Sequence, residues 1–79
     1  MSKPQTRDDY LEAIYSIRKL TGRCRSVDVA AYLGYSKPSV SVACAKLREA
    51  ELLGPKSARG ELFLTEEGEA IGKKVAMAH

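Results

Sequence analysis

The chain has 79 residues, 44% of them hydrophobic and 29% charged, the size and balance of one small domain, which leaves no room for a multidomain enzyme. Eight Leu, three Ile and five Val, with Phe63 and four Tyr, suffice for a single core without a disulfide or metal staple, so intrinsic disorder is excluded as well. The formal net charge is only +3, but residues 18–59 hold nine basic and three acidic side chains while the remainder hold four and seven; a basic middle of this kind predicts a polyanion-binding face.

No uncharged run exceeds the eight residues from Val29 to Ser36, whereas a membrane-spanning helix needs roughly eighteen or more. The opening Met1-Ser2-Lys3-Pro4-Gln5 lacks the apolar stretch of a secretory signal, and a cytoplasmic protein is expected. Cys24 and Cys44 form no Cys-x-x-Cys spacing, so both are expected to be reduced, apolar fillers of the core rather than zinc or redox groups.

In chain order, Thr6 followed by Asp9 resembles a capping box and opens an amphipathic run with Tyr10, Leu11, Ile14 and Ile17 at helical spacing and Gly22 as the stop, which predicts a first helix over about Arg7 to Thr21. Arg23-Cys24-Arg25 alternates charged and apolar residues and reads as a very short strand. Ser26 is placed as the N-cap of a second helix over Val27 to Leu33, ended by Gly34. Ser36 caps a third helix from about Lys37 to Ala50, with Pro38 in its first turn, where no helical bond is lost, and Val40, Ala43, Cys44 and Leu47 facing inward.

Leu52-Leu53-Gly54-Pro55 and Glu61-Leu62-Phe63-Leu64 flank the polar tip Lys56-Ser57-Ala58-Arg59-Gly60 and read as a two-stranded hairpin, with Pro55 tolerated on a free edge. Thr65 then caps a last helix, acidic at its start (Glu66, Glu67, Glu69) and basic later (Lys73, Lys74), the order the helix dipole favours. Together these elements predict a mostly α (α+β) fold over residues 1–79: a winged helix-turn-helix of three helices, a two-stranded wing and a C-terminal helix.

A short helix, a three-residue turn containing Gly34 and a longer helix, with Ala30, Val40 and Ala43 at the close approach, present the start of the third helix to a DNA major groove. Ser36, Lys37, Ser39 and Ser41 are candidates for phosphate oxygens, and Pro38 and Val42 for thymine methyls. Arg25, Ser26, Lys46, Lys56 and Arg59 complete the candidate DNA-binding set, the last two carried by the hairpin tip. The side chains at the start of the third helix are short, so DNA shape is expected to contribute to specificity. Plainer roles stand beside these: Lys46 and Arg48 also suit a solvated helix face, and Ser36 is an N-cap in any case. With one His, two unpaired Cys and no Gly-rich phosphate loop, no nucleophile and base can be assembled, and no enzyme is expected.

The string Asp8-Asp9-Tyr10-Leu11-Glu12-Ala13-Ile14-Tyr15 resembles the opening of the diphtheria-toxin-repressor family of metal-dependent regulators, in particular its manganese-sensing branch. Arg25-Ser26-Val27-Asp28-Val29-Ala30, Leu33-Gly34-Tyr35-Ser36-Lys37-Pro38-Ser39-Val40-Ser41, Leu47-Arg48-Glu49-Ala50-Glu51-Leu52-Leu53 and Leu62-Phe63-Leu64-Thr65-Glu66-Glu67-Gly68 follow in the family's order. The resemblance implies a repressor of metal-uptake genes that binds double-stranded DNA under control of Mn²⁺ or Fe²⁺. It also implies Asp9, Glu12 and His79 as metal ligands. Asp9 and Glu12, three apart, share one helix face, and oxygen-rich donors with an imidazole suit these ions. Without the resemblance, two carboxylates in a first turn serve the helix dipole.

The family's remaining ligands and its homodimer interface lie on a fifth helix beyond the position of His79, and its usual Arg before that His is Ala78 here. The expectation is therefore an incomplete metal site and a chain without the family's dimerisation domain, either a DNA-binding piece of a longer repressor or a short relative. Two alternatives stand beside it: a metal-independent winged-helix regulator, and a winged helix used for protein contacts.

Overall fold

A computed structural model describes residues 7–78; the expected cap Thr6 and the proposed ligand His79 lie outside them. Four helices account for most of this span: α1 (Arg7–Thr21), α2 (Ser26–Leu33), α3 (Lys37–Glu49) and α4 (Glu66–Met77). Among the described residues no helix is long and apolar enough to cross a membrane.

The apolar stripe of α1 is the centre of the molecule. Leu11, Ala13 and Ile14 are fully buried, Tyr10 and Ile17 nearly so, and they pack with Val29 and Ala30 of α2, Val40, Cys44 and Leu47 of α3, and Leu52, Leu53 and Leu62 of the connecting loop. α4 closes the other side, where Gly68 and Gly72 are buried and let its backbone come directly onto Leu52 and Leu11. The tilted ring pair Tyr10 and Tyr35, 5.8 Å between centroids, fastens the α2–α3 turn to α1.

Two local expectations need correction. Ser26 is the first residue of α2 rather than its cap; the cap is Arg25, whose N–H donates to the Asp28 carboxylate at 3.0 Å. This is the reciprocal half of a capping box, and the carboxylate three residues on moves the helix start forward by one position. The expected two-stranded wing is not a ladder. It consists of isolated antiparallel bridges, Leu53 with Leu64 and Glu61 with Arg25. The Gly54 N–H donates to the Phe63 carbonyl at 2.6 Å and the Leu62 N–H to the Cys24 carbonyl at 2.7 Å, so the returning segment is shared between two neighbours. Pro55 has no N–H to continue the pairing, which is why it stops at Gly54.

α3 stops at Glu49 without a glycine. Glu51 takes the left-handed conformation (φ 59°) instead, and the Leu52 N–H returns to the Leu47 carbonyl at 2.9 Å. That turn buries Leu52 and Leu53 and directs the chain into the loop that carries Lys56 and Arg59.

Candidate nucleic-acid interface

The joint between α2 and α3 is built from backbone bonds. Gly34 adopts φ 74°, its N–H and that of Tyr35 both donate to the Ala30 carbonyl, at 2.8 and 3.0 Å, and α3 then leaves in a new direction. Ser36 starts it: its Oγ accepts from the Ser39 N–H at 3.3 Å and donates to the Ser39 Oγ at 2.9 Å. Part of the hydrogen-bonding capacity that the sequence assigns to DNA is therefore used to cap α3 and orient Ser39. Inward, Val40, Cys44 and Leu47 are buried, so helical periodicity turns Lys37, Pro38, Ser41, Val42 and Lys46 outward, and all five are exposed.

Val42 keeps 57% of its surface open to solvent, an aliphatic side chain left largely exposed in the middle of a helix face. No acidic residue stands in the first turn of α3, and Lys46 and Arg48 occupy its last turn. The positive end of the helix dipole is thus left uncompensated, as an anion-binding helix start requires.

The other candidates divide. Arg25, Lys56 and Arg59 are exposed. Ser26 is half-buried in the first turn of α2, whereas Arg25 before it is exposed. At the loop tip the Gly60 N–H donates to the Ser57 carbonyl at 3.1 Å and the Glu61 N–H to the Ser57 hydroxyl at 2.8 Å, a tight turn that holds Arg59 outward.

One cation outside the sequence-based set lies beside it. Arg7, at the start of α1, lines a cleft of about 530 Å³ together with Pro38, Ser39, Val42 and Lys46. Its only described ion pair is a long, exposed one with Asp8, 3.4 Å. The signal in the sequence is a cation beside Asp8 and Asp9 in a first turn, where the helix dipole disfavours positive charge.

The basic middle of the sequence, by contrast, is not all directed outward. Arg18 and Arg48 turn toward the 54–63 loop, each donating to a loop carbonyl at 3.2 Å.

Of the three proposed metal ligands, Asp9 and Glu12 are half-buried on α1. The Glu12 Oε2 accepts from the Ser16 hydroxyl at 2.6 Å and from the Tyr32 hydroxyl at 3.2 Å. Among the described residues no three His, Cys, Asp or Glu side chains gather as a metal site. Carboxylate oxygens suit Mn²⁺ or Fe²⁺ in kind, but two from one helix fall short of the roughly six donors such ions take.

Residues 4–60 match the protein family described as iron dependent repressor, N-terminal DNA binding domain. Over 72 residues, 91% of this chain and 46% of the relative, the sequence is 38% identical to the transcriptional regulator MntR of Escherichia coli O6:H1. It is 36% identical, over 91% of this chain and 50% of the relative, to the HTH-type transcriptional regulator MntR of Bacillus subtilis. The chain thus spans about half the length of the curated relatives it matches. Among solved structures, the transcriptional regulator Tm0710 from Thermotoga maritima shares the fold, with a TM-score of 0.65 at 23% identity over 86% of this chain and 50% of that one.

Proposed function

Because this chain belongs to the iron-dependent repressor family, through its N-terminal DNA-binding domain, we propose that it is a winged helix-turn-helix that binds double-stranded DNA as part of a metal-dependent transcriptional repressor. The observation that carries the reading is the exposed face of α3: a helix start without acidic residues, with Lys37, Ser41 and Lys46 beside the uncovered Pro38 and Val42. In this reading α3 enters the major groove, Pro38 and Val42 pack on thymine methyls, and Ser36 and Ser39 set the helix start against a phosphate. Arg25, Lys46, Lys56 and Arg59 neutralise backbone phosphates on either side, with Arg7 joining Lys46 across their common cleft. Ser26, half-buried at the start of α2, stands beside Arg25 at the edge of this surface.

The whole repressor's metal response belongs to the same proposal, with Asp9, Glu12 and His79 as ligands to Mn²⁺ or Fe²⁺. The described residues do not make a complete site, and the DNA contacts above are independent of it. The relatives are named as MntR transcriptional regulators; a homodimer is part of the same proposal, in which this domain would supply the DNA-reading part.

The test is duplex binding as a function of salt, by anisotropy of a fluorescein-labelled mixed-sequence duplex. With six phosphate-facing cations, Arg7, Arg25, Lys37, Lys46, Lys56 and Arg59, the slope of log affinity against log salt should be roughly −4 to −5, since each contributes about −0.9. The double substitution Lys37→Glu/Ser41→Glu should abolish binding by placing two anions on the DNA face. A flat salt response, or binding that survives this pair, overturns the reading and favours a protein-contact role for the same face.

A further inference from the structure

The loop between Leu53 and Leu64 is held less by its own pairing than by two arginines that reach it from different helices. Arg18, from the last turn of α1, donates from Nη1 to the Leu62 carbonyl at 3.2 Å, and its guanidinium carbon lies 4.7 Å from the centroid of the Phe63 ring. Arg48, from the last turn of α3, donates from Nε to the Gly54 carbonyl at 3.2 Å. Gly54 and Phe63 are themselves joined across the loop base by the 2.6 Å backbone bond. One arginine therefore holds each leg of the loop at its narrowest point, and among the described residues neither is in an ion pair with a carboxylate.

The physical need is clear. A pair of isolated bridges cannot fix the direction of the loop, because a two-stranded hairpin is marginal in water. Guanidinium is suited to the task, since one planar group stacks on a ring and donates to a carbonyl at the same time, which an ammonium cannot reproduce. Beyond the pinned base, residues 55–61 carry the exposed Lys56 and Arg59.

We propose that Arg18 and Arg48 are positioning residues: they pin the base of the 54–63 loop so that Lys56 and Arg59 meet the DNA backbone, and they do not touch DNA themselves. The proposal rests on the DNA-binding reading above, and its test separates the two.

Arg18→Lys and Arg48→Lys keep the net charge while removing the planar group. In the full chain, trypsin nicking after Lys56 and Arg59 reports loop order without any DNA. Each substitution should speed that nicking several-fold in a chain whose circular dichroism is unchanged. Duplex affinity should fall roughly three- to tenfold, the worth of one lost hydrogen bond. In the Arg18→Lys/Arg48→Lys double variant the salt slope should become shallower by up to about 1.8, the share of two phosphate contacts. In a Lys56→Gln/Arg59→Gln background the same substitutions should change affinity by less than about twofold, because the contacts they position are already gone. Phe63→Leu, which alters no charge and keeps apolar bulk, should reproduce part of both effects.

Unchanged loop nicking overturns the proposal, as do affinity losses that add fully to those of Lys56→Gln/Arg59→Gln, the signature of direct DNA contact. If the wild-type chain shows no salt-dependent duplex binding while Arg18→Lys still speeds nicking, the DNA reading falls and the pin stands.

Discussion

Gly72 sits so close to Leu11 that a Cβ on it would lie 2.7 Å from the Leu11 carbonyl oxygen and 3.0 Å from the Tyr15 Cβ. α4 therefore meets α1 backbone to backbone, and Gly68 meets the Leu52 backbone in the same way. Helix propensity alone would favour Ala over Gly by about 1 kcal/mol. A helical carbonyl cannot swing aside, however, and overpacking of this kind costs about 1–3 kcal/mol. The clash offsets or exceeds the propensity, so Gly72→Ala should lower the unfolding free energy, by up to about 2 kcal/mol. Urea melts with an unchanged m-value would measure it, and a variant as stable as wild type would mean that α4 can back away from α1 without loss.

How far local sequence reaches can be judged from three places in this fold. The stripe from Tyr10 to Ile17 and the stop at Gly22 place α1 at Arg7–Thr21, and Gly34 takes the left-handed turn its position predicts, because both depend on neighbours within one or two turns. Ser26 falls one step out of its expected place: a Ser before an apolar run resembles a cap, and only the bond from the Arg25 N–H to Asp28 shows that the helix has already begun. The roles of Arg18 and Arg48 are invisible at that range. Arg18 finds its acceptor 44 residues away, and nothing in a run of basic residues tells a side chain that meets its own loop from one that meets DNA. Ser36 carries both readings at once, being the cap of α3 and part of its exposed start.

The buried thiols give the chain an alkaline limit. Cys24 is wholly buried, its sulfur 3.7 Å from the Arg25 carbonyl. Burial, with Asp28 second, pushes its thiol from the ordinary 9.0 up to about 12. Burial likewise raises Cys44, and raises the Tyr10 hydroxyl. The folded chain thus holds protons that the unfolded chain releases more easily. This contribution is fully present below about pH 9 and is lost as the pH rises toward 12. The melting temperature should be level near neutrality and decline in that window, and Cys24→Ala should start lower but decline less steeply. A wild-type melting temperature that stays level through the window would show that the thiols do not control alkaline stability.

The link between Glu12 and Tyr32 bears on the metal proposal. Glu12 is one of the two α1 carboxylates proposed as ligands, and its Oε2 already accepts from Ser16 and from Tyr32 of α2. Those bonds occupy one carboxylate oxygen and leave the other as a donor. With few donors in reach among the described residues, Mn²⁺ added to this chain should bind weakly, with most of its coordination completed by water. Calorimetric titration should show small heats for the wild-type chain that vanish in Asp9→Ala/Glu12→Ala. Tyr32→Phe should leave the heats in place and, since Tyr32 is nearly half exposed at 48%, cost no more than about 1 kcal/mol of stability for its lost hydrogen bond. Equal heats in wild type and the double alanine variant would remove Asp9 and Glu12 from the metal site, whereas heats lost in Tyr32→Phe would make the α1–α2 link a condition of binding.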